Sequence, residues 1–469
     1  MTTSALTVDR SGRPSAQIEV VEAMTRSRHG YIRCAIGHDL VVKPDVLSAY
    51  CVRDLPTLVD DLVTLAGAAA FADRTVTRHS AQRWGRDIEL NIPVHDPDFW
   101  LQQNVRDRLV DVLNYVSGDR WDLEFRKRRA RTQSRPQGLF PFEPDPSTIV
   151  IPYSDGLDSF AVARLVSSRA PTAAVVLVTT GQRKDTDREW RRRVGGARHH
   201  RVSVPFELSG RRFREPSYRT RGFVFGIMAG VAAHLSGART VVVPESGQGV
   251  LGSWMLPVGN EPPDVRTHPL FTRKLEALIE VVLGSSPRFE HPRLWYTKGE
   301  TLRDLLAVDR AAPWACTRSC GRDARHVHLE GRLVPCGVCG ACLLRRQSLL
   351  AAGLDEIQDR YLWRDLSAPT LNDAASRGVR QASVNDTKQA ACGALSLAQL
   401  ANLAAGGIEA DHYTRDATEK LAPVLGDEPR EIEAKLRKLT AKHRDEWRGL
   451  LASAGPDSFM AEWTEGPPC

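Results

Sequence analysis

Five cysteines, Cys316, Cys320, Cys336, Cys339 and Cys342, fall close together in a 469-residue chain, while Cys34, Cys51, Cys392 and Cys469 are scattered. The run Cys336-Gly337-Val338-Cys339-Gly340-Ala341-Cys342 lets three sulfurs wrap one ion, and Cys320 closes the shell from upstream. Four thiolates suit a closed tetrahedral Zn²⁺ site, with no open position left for catalysis. Cys316, His326 and His328 are alternative ligands, and an iron–sulfur cluster is the other use of such a set. Arg345 and Arg346 are placed to offset part of the excess negative charge. A secreted disulfide framework would spread its pairs through a shorter chain, so the clustering reads as metal ligation.

The second feature is Ser154-Asp155-Gly156-Leu157-Asp158-Ser159, which follows the apolar run 148–152. A glycine there permits a tight turn, and backbone N–H groups at the start of a following helix face an anion. Ser154 and Ser159 add hydroxyl donors, and Asp158 suits Mg²⁺ or a structural acceptor role. The spacing does not match Gly-x-x-x-x-Gly-Lys-Ser/Thr, which disfavours an ordinary P-loop. The competing reading is a capped helix, with Asp158 or Ser159 as its N-cap.

These residues must be positioned by the elements around them. In the first 145 residues, 55–70 and 105–116 have helical periodicity, and 88–94 alternates as a half-buried strand does. A basic stretch at 126–136 and Pro141, Pro144 and Pro146 mark a boundary. Apolar runs at 148–152, 173–178 and 240–243 then alternate with helical segments at 160–169 and 222–235. All-apolar strands alternating with helices predict a doubly wound α/β domain with a parallel sheet, whose ligands bind at the carboxyl ends of strands. After the cysteines the chain reads as mostly helical, including 397–405 with Ser396 as N-cap and 430–450. The expected divisions are therefore 1–145, 146–355 and 356–469.

Hydrophobic content of 42% and charged content of 26% are ordinary for a globular chain. No stretch approaches the roughly 20 apolar residues that cross a bilayer, and the first residues lack the pattern of a secretory signal, so the expected compartment is the cytoplasm. The net charge is +7, with −5 carried by 351–469 and +12 by 1–350. That excess suits nucleotides, and RNA contact is compatible with it without being required.

The loop resembles the Ser-Gly-Gly-x-Asp-Ser loop of the PP-loop ATP pyrophosphatases, which cleave ATP to AMP and pyrophosphate while adenylating a substrate. Asp155 stands where that family has its first glycine. Followed about 160 residues later by Cys, then Cys-Gly-x-Cys-x-x-Cys, it is similar to the QueC family of 7-cyano-7-deazaguanine synthases. Thr180-Gly181-Gln182-Arg183, the Ser217–Gly222 run with Arg221, Tyr296-Thr297-Lys298-Gly299-Glu300 and Thr317-Arg318-Ser319-Cys320 match that family's segments in order. The resemblance spans roughly 148–355.

The resemblance implies the PP-loop (adenine nucleotide α-hydrolase) type of α/β fold; the patterns on either side of it add an α+β N-terminal extension and a helical C-terminal region. It implies ATP, Mg²⁺ and Zn²⁺ as cofactors. Ser154, Asp155, Gly156, Leu157, Asp158, Ser159, Gln182 and Arg183 would hold the nucleotide. Asp158, Lys298 and Arg221 would serve the chemistry, and Cys320, Cys336, Cys339 and Cys342 would ligate zinc.

The long flanks and the replacement of the family's substrate loop by residues 245–254 depart from ordinary members. The extended form resembles QueC-like proteins of antiphage operons, including the Qat and type IV CBASS systems. Those imply transfer of 7-carboxy-7-deazaguanine, or a similar deazapurine carboxylate, to a partner protein's N-terminus. Ammonia as acceptor is the alternative, giving the nitrile-forming synthase. Two further readings are a PP-loop tRNA-modifying enzyme, which would need Cys34, Cys51 or Cys316 as a reactive thiol, and a degenerate nucleotide-binding subunit of a defence complex.

Overall fold

The computed structural model describes all residues except 1–6, 9–13, 23–27, 48–54, 79–83, 131–144, 182–198, 210–212, 257–261, 323–327, 330–331, 357–359, 380 and 466–469. Gln182, Arg183 and His326 lie outside the described residues. The chain forms two compact units, each assembled from separated stretches. The first comprises Met1–Ser154, Ala170–Val243 and Pro257–His291, and the second Asp155–Arg169, Pro244–Leu256 and Pro292–Cys469.

The first unit contains two sheets. One joins β1 (Thr7–Val8), β2 (Pro14–Glu22), β3 (Ile32–Ile36), β4 (Leu40–Val42), β5 (Asp87–Val94), β6 (Arg120–Lys127) and, later in the chain, Phe206–Leu208. β2 pairs parallel with β3 and β5, and β5 parallel with β6. Parallel neighbours need crossover connections, and the helices Thr57–Thr75 and Gln103–Ser117 are placed in those connections. The N-terminal stretch is thus α/β in character where α+β was expected. β5 corrects a second expectation: it is flanked by β2 and β6, and its last five residues are all buried rather than alternating.

The other sheet is parallel throughout. It consists of β7 (Ile149–Pro152), β8 (Val175–Thr180), β9 (His199–Val204), β11 (Thr240–Val242) and β12 (Arg288–Glu290), with β10 being Phe206–Leu208. Their order is β12-β11-β7-β8-β9. The first strand in sequence lies at the centre, and the order reverses between β7 and β11. Such a switch point is where open α/β sheets bind ligands. β9 runs through Pro205 into β10, which pairs antiparallel with β4, so one chain segment serves both sheets.

Helix Arg221–Ser236 packs on the second sheet and on helices Thr57–Thr75 and Pro269–Leu283. Gly226 and Gly230, one turn apart, allow this close approach: a Cβ on either would lie 2.4 and 2.2 Å from Leu275 and Ile279 side-chain carbons. An alanine at either position would overpack the helix pair.

The second unit is mainly helical, with a short antiparallel pair of strands at His328–Leu329 and Arg332–Leu333. Leu157–Arg169 packs on Lys298–Val308, which packs on Gly340–Ala351. Gly247–Met255, Val384–Asn402, Ile408–Leu425, Pro429–Ala454 and Phe459–Glu465 also belong to it. Ser396 is not an N-cap. It lies inside the Val384–Asn402 helix, where its hydroxyl donates to the Cys392 carbonyl. Ser383 is the cap, in a reciprocal box with Asp386. The polar residues of the first turns hid this start, because the apolar periodicity begins only farther along.

No single helix among the described residues is long and apolar enough to cross a membrane; only the pair Val384–Ala405 and Ile408–Leu425, bent by 95°, reaches the length and composition together.

Candidate functional site

Four sulfurs converge in the second unit. Cys320, Cys336, Cys339 and Cys342 place their Sγ atoms within 4.8 Å of one another. Zn–S bonds of about 2.3 Å in a tetrahedron put sulfurs about 3.8 Å apart, and Cys336 Sγ lies 3.9 Å from Cys342 Sγ. The set therefore fits Zn²⁺. The local fold explains the convergence. Gly337, at φ +90°, turns the chain where a Cβ would lie 2.3 Å from the Trp363 carbonyl oxygen. Cys339 then caps helix Gly340–Ala351, which carries Cys342 on its first turn. The backbone N–H groups of Cys336 and Cys339 donate to Cys320 and Cys336 sulfur at 3.4 and 3.3 Å. Hydrogen bonds among the four sulfurs lower the Cys320 thiol and raise those of Cys336 and Cys342, so without a cation the set does not carry four thiolate charges together.

Cys316 is exposed and outside the set. The two arginines divide. Arg345 is ion-paired to Glu356 at 2.8 Å and donates to Thr317, whereas Arg346 donates to the Gly337 and Trp363 carbonyls beside the sulfurs.

Asp158 lies in the same unit. It sits in the first turn of Leu157–Arg169, and Ser159 donates its hydroxyl to the Gly156 carbonyl. Neither is the N-cap, because the helix starts before both. Asp155 turns the chain with φ +58°, one of two non-glycine residues with positive φ among those described. The left-handed turn for which glycine is the default residue is thus made by an aspartate, a type that tolerates it better than most. Its carbonyl accepts from the Arg318 N–H at 3.1 Å, which ties the loop to the segment leading into Cys320.

Lys298 Nζ is 2.6 Å from one Asp158 oxygen, and Ser246 donates to the other at 3.0 Å. Burial disfavours the ammonium, but Asp158 and Glu245 outweigh it and hold the Lys298 pKa above its ordinary value. Both Asp158 oxygens already have a partner, so holding Mg²⁺ there would compete with Lys298.

Lys298 is placed by a capping box of Thr297 and Glu300 and by Gln248, whose side-chain oxygen accepts from the Lys298 N–H at 2.7 Å. Glu446 accepts from Thr297, Gln248 and Gln347; burial raises its pKa. His443 donates Nε2–H to the Leu397 carbonyl and presents Nδ1 to Gln248 and Gln347. The Thr297-x-x-Glu300 box was readable in the sequence. Gln248, Gln347, His443 and Glu446 had no such signal, being up to 198 positions from one another in sequence.

The first unit contributes a cleft of about 380 Å³ at the carboxyl ends of β7 and β8, within the size of small-molecule sites. Ser154 and Tyr153 after β7, Thr180 and Gly181 of the β8 end, and Phe206, Glu207 and Leu208 line it, together with Arg74, Tyr218, Arg221 and Phe225. Of the residues expected from sequence, Ser154 and Arg221 line this cleft, and Asp158 and Lys298 pair in the second unit. Tyr218 is the other positive-φ residue, at +40°, and burial pushes its phenol up to about 12. Arg74 and Glu207 were missed, since nothing local marks them, and Tyr218 stood in the Ser217–Gly222 run without a role of its own.

The chain matches no family model, and no curated protein is significantly similar to it.

Proposed function

We propose that this chain is an ATP-dependent adenylating enzyme of the QueC-like PP-loop type, acting on 7-carboxy-7-deazaguanine or a similar deazapurine carboxylate. The observation that carries the reading is the loop at Ser154–Ser159. It leaves the central strand of the parallel sheet at the switch point, turns through left-handed Asp155, and enters a helix with Asp158 in its first turn. The four-cysteine set in its expected order along the chain supports the same reading.

In this reading a carboxylate oxygen of the acid attacks the α-phosphorus of ATP, the bond to the bridging oxygen breaks, and pyrophosphate leaves. An amine nitrogen then attacks the acyl carbon, AMP leaves, and the nitrogen loses a proton. Backbone N–H groups at the helix start with the Ser154 and Ser159 hydroxyls would bind phosphate oxygens. Arg221 and Lys298 would supply fixed positive charge. Mg²⁺ would neutralise phosphate charge, with Asp158 as its holder once Lys298 turns to phosphate. Zinc would be structural.

Ammonia would give a primary amide able to lose water to a nitrile. A partner protein's N-terminal amine would give a secondary amide that cannot, and we favour this acceptor because the chain extends well beyond the resemblance on both sides.

Purified protein with Mg-ATP should release AMP and pyrophosphate only when 7-carboxy-7-deazaguanine is present. Asp158→Asn, which keeps the shape of the side chain, should lower that release by about 100-fold or more, the order expected for a lost transition-state contact. ATP turnover indifferent to the acid would overturn the reading. Intact-mass analysis of co-expressed partners would separate the two acceptors.

A further inference from the structure

The cleft of the first unit holds a cation that no described carboxylate neutralises. Arg74 lies with its guanidinium 4.9 Å from the Phe213 ring centroid and 5.2 Å from that of Tyr218. Its Nε is buried with no acceptor among the described residues. The neighbouring position shows how firmly it is held. Asp73 accepts from the Thr220 N–H at 2.9 Å and the Thr220 hydroxyl at 3.0 Å. Its other oxygen accepts from Arg86 at 2.6 Å and Arg78 at 3.1 Å. The helix end carrying Arg74 is therefore fastened to the segment that displays Tyr218 and begins the Arg221 helix.

Arg221 lines the same cleft and stacks on Phe225, one turn along its own helix, at 5.4 Å. Glu207 is exposed at the rim. Stacking satisfies the face of the Arg74 guanidinium but leaves its buried Nε–H to bind a planar oxyanion. A cleft with aromatic walls, paired guanidiniums and one carboxylate matches a flat ring that bears an anionic group and N–H donors.

We propose that Arg74 and Arg221 clamp the oxyanion of a flat heteroaromatic ligand whose ring lies among Phe206, Tyr218 and Phe225, with Glu207 accepting from ring N–H groups. The N-terminal stretch is then part of the ligand site, not an appendage. This deepens the adenylation reading, on which it rests for two candidate sources of the oxyanion: the acid's carboxylate and the nucleotide's phosphate.

Titration calorimetry on the full chain distinguishes them, with AMP against adenosine and 7-carboxy-7-deazaguanine against 7-deazaguanine. The wild type should prefer the charged member of at least one pair. Arg74→Ala should weaken that member by roughly 10- to 100-fold, the range of hydrogen bonds to charged groups, and leave its neutral counterpart within about threefold. Loss confined to AMP identifies the phosphate, and loss confined to the acid identifies the carboxylate. Arg74→Gln keeps a flat, stackable group and serves if the alanine variant melts early.

Equal affinities in wild type and both variants, or no preference for a charged ligand by the wild type, would show that Arg74 only staples the helix to its neighbours. Arg74-dependent binding without AMP release would leave the clamp standing and remove the adenylation reading. Acid-dependent AMP release unaffected by Arg74 would do the reverse.

Discussion

Each unit buries a cluster of charge or latent charge, and the two close it differently. In the first, Asp73 and Asp119 face Arg78 and Arg86, with all four side chains at most 2% exposed. The two carboxylates balance the two guanidiniums, and further hydrogen bonds satisfy the rest. Burial opposes both charges, yet the arginines hold Asp73 below its usual pKa and the carboxylates raise Arg86 above its own. In the second unit, four sulfurs converge on one point, and Arg346 donates to the Gly337 carbonyl beside them. Like-charged thiolates cannot share such a space without a cation. One cluster is complete within the chain, and the other offers four sulfurs that could hold a metal.

The largest test of that contrast is metal removal. Stripping zinc with a chelator, or Cys336→Ser, should abolish exchange protection around residues 335–363, since structural zinc in small modules contributes on the order of 10 kcal/mol. Protection around Arg86 should persist; equal loss in both regions would break the comparison. Next, Arg86→Ala leaves two buried carboxylates short of a partner and should cost about 3–5 kcal/mol by denaturant unfolding, with chelator making no difference to that cost. A cost under about 1 kcal/mol would mean that water enters the network.

Smaller per pH unit is the response to acid. Burial lowers His268 to about 3 and His291 and His443 to about 4. Each binds its proton in the unfolded chain at about 6.5 but in the folded one only near 3 or 4. The stability due to neutral burial is therefore full above about pH 6.5 and lost as pH falls toward 4. The slope is about 1.4 kcal/mol per pH unit for each histidine. His443→Gln should remove its share of the slope in the second unit alone. The smallest effect belongs to Asp155→Gly, which suits the left-handed turn and should shift stability by less than about 1 kcal/mol, whereas Asp155→Val should destabilise by about 1–3 kcal/mol.

Where the chemistry was local, the residues announced it. Cys336, Cys339 and Cys342 lie within two turns of chain, so their spacing alone implied convergence, and Thr297 with Glu300 made a readable cap. The strands at 149–152 and 175–180 were legible because buried parallel strands are apolar on both faces. The start of the Val384–Asn402 helix was not, since its first turns are polar. Nor was the pairing of β10 with β4, a three-residue match between segments over 160 positions apart. Arg74 carried no signal of its own, because an arginine in the last turn of a helix is ordinary until its neighbours are known.

By itself, then, the sequence determined the α/β character around the loop, the helical C-terminal part and the four-thiolate set. These follow from periodicity and short spacing, which act over a few residues. The tertiary structure alone decided that Asp158 meets Lys298, that Glu446 reaches the same helix start, and that Arg74 and Arg221 share one cleft. Those contacts join residues from 140 to nearly 150 positions apart. Only the packing of whole elements brings such residues within a few ångströms, and no local pattern encodes it.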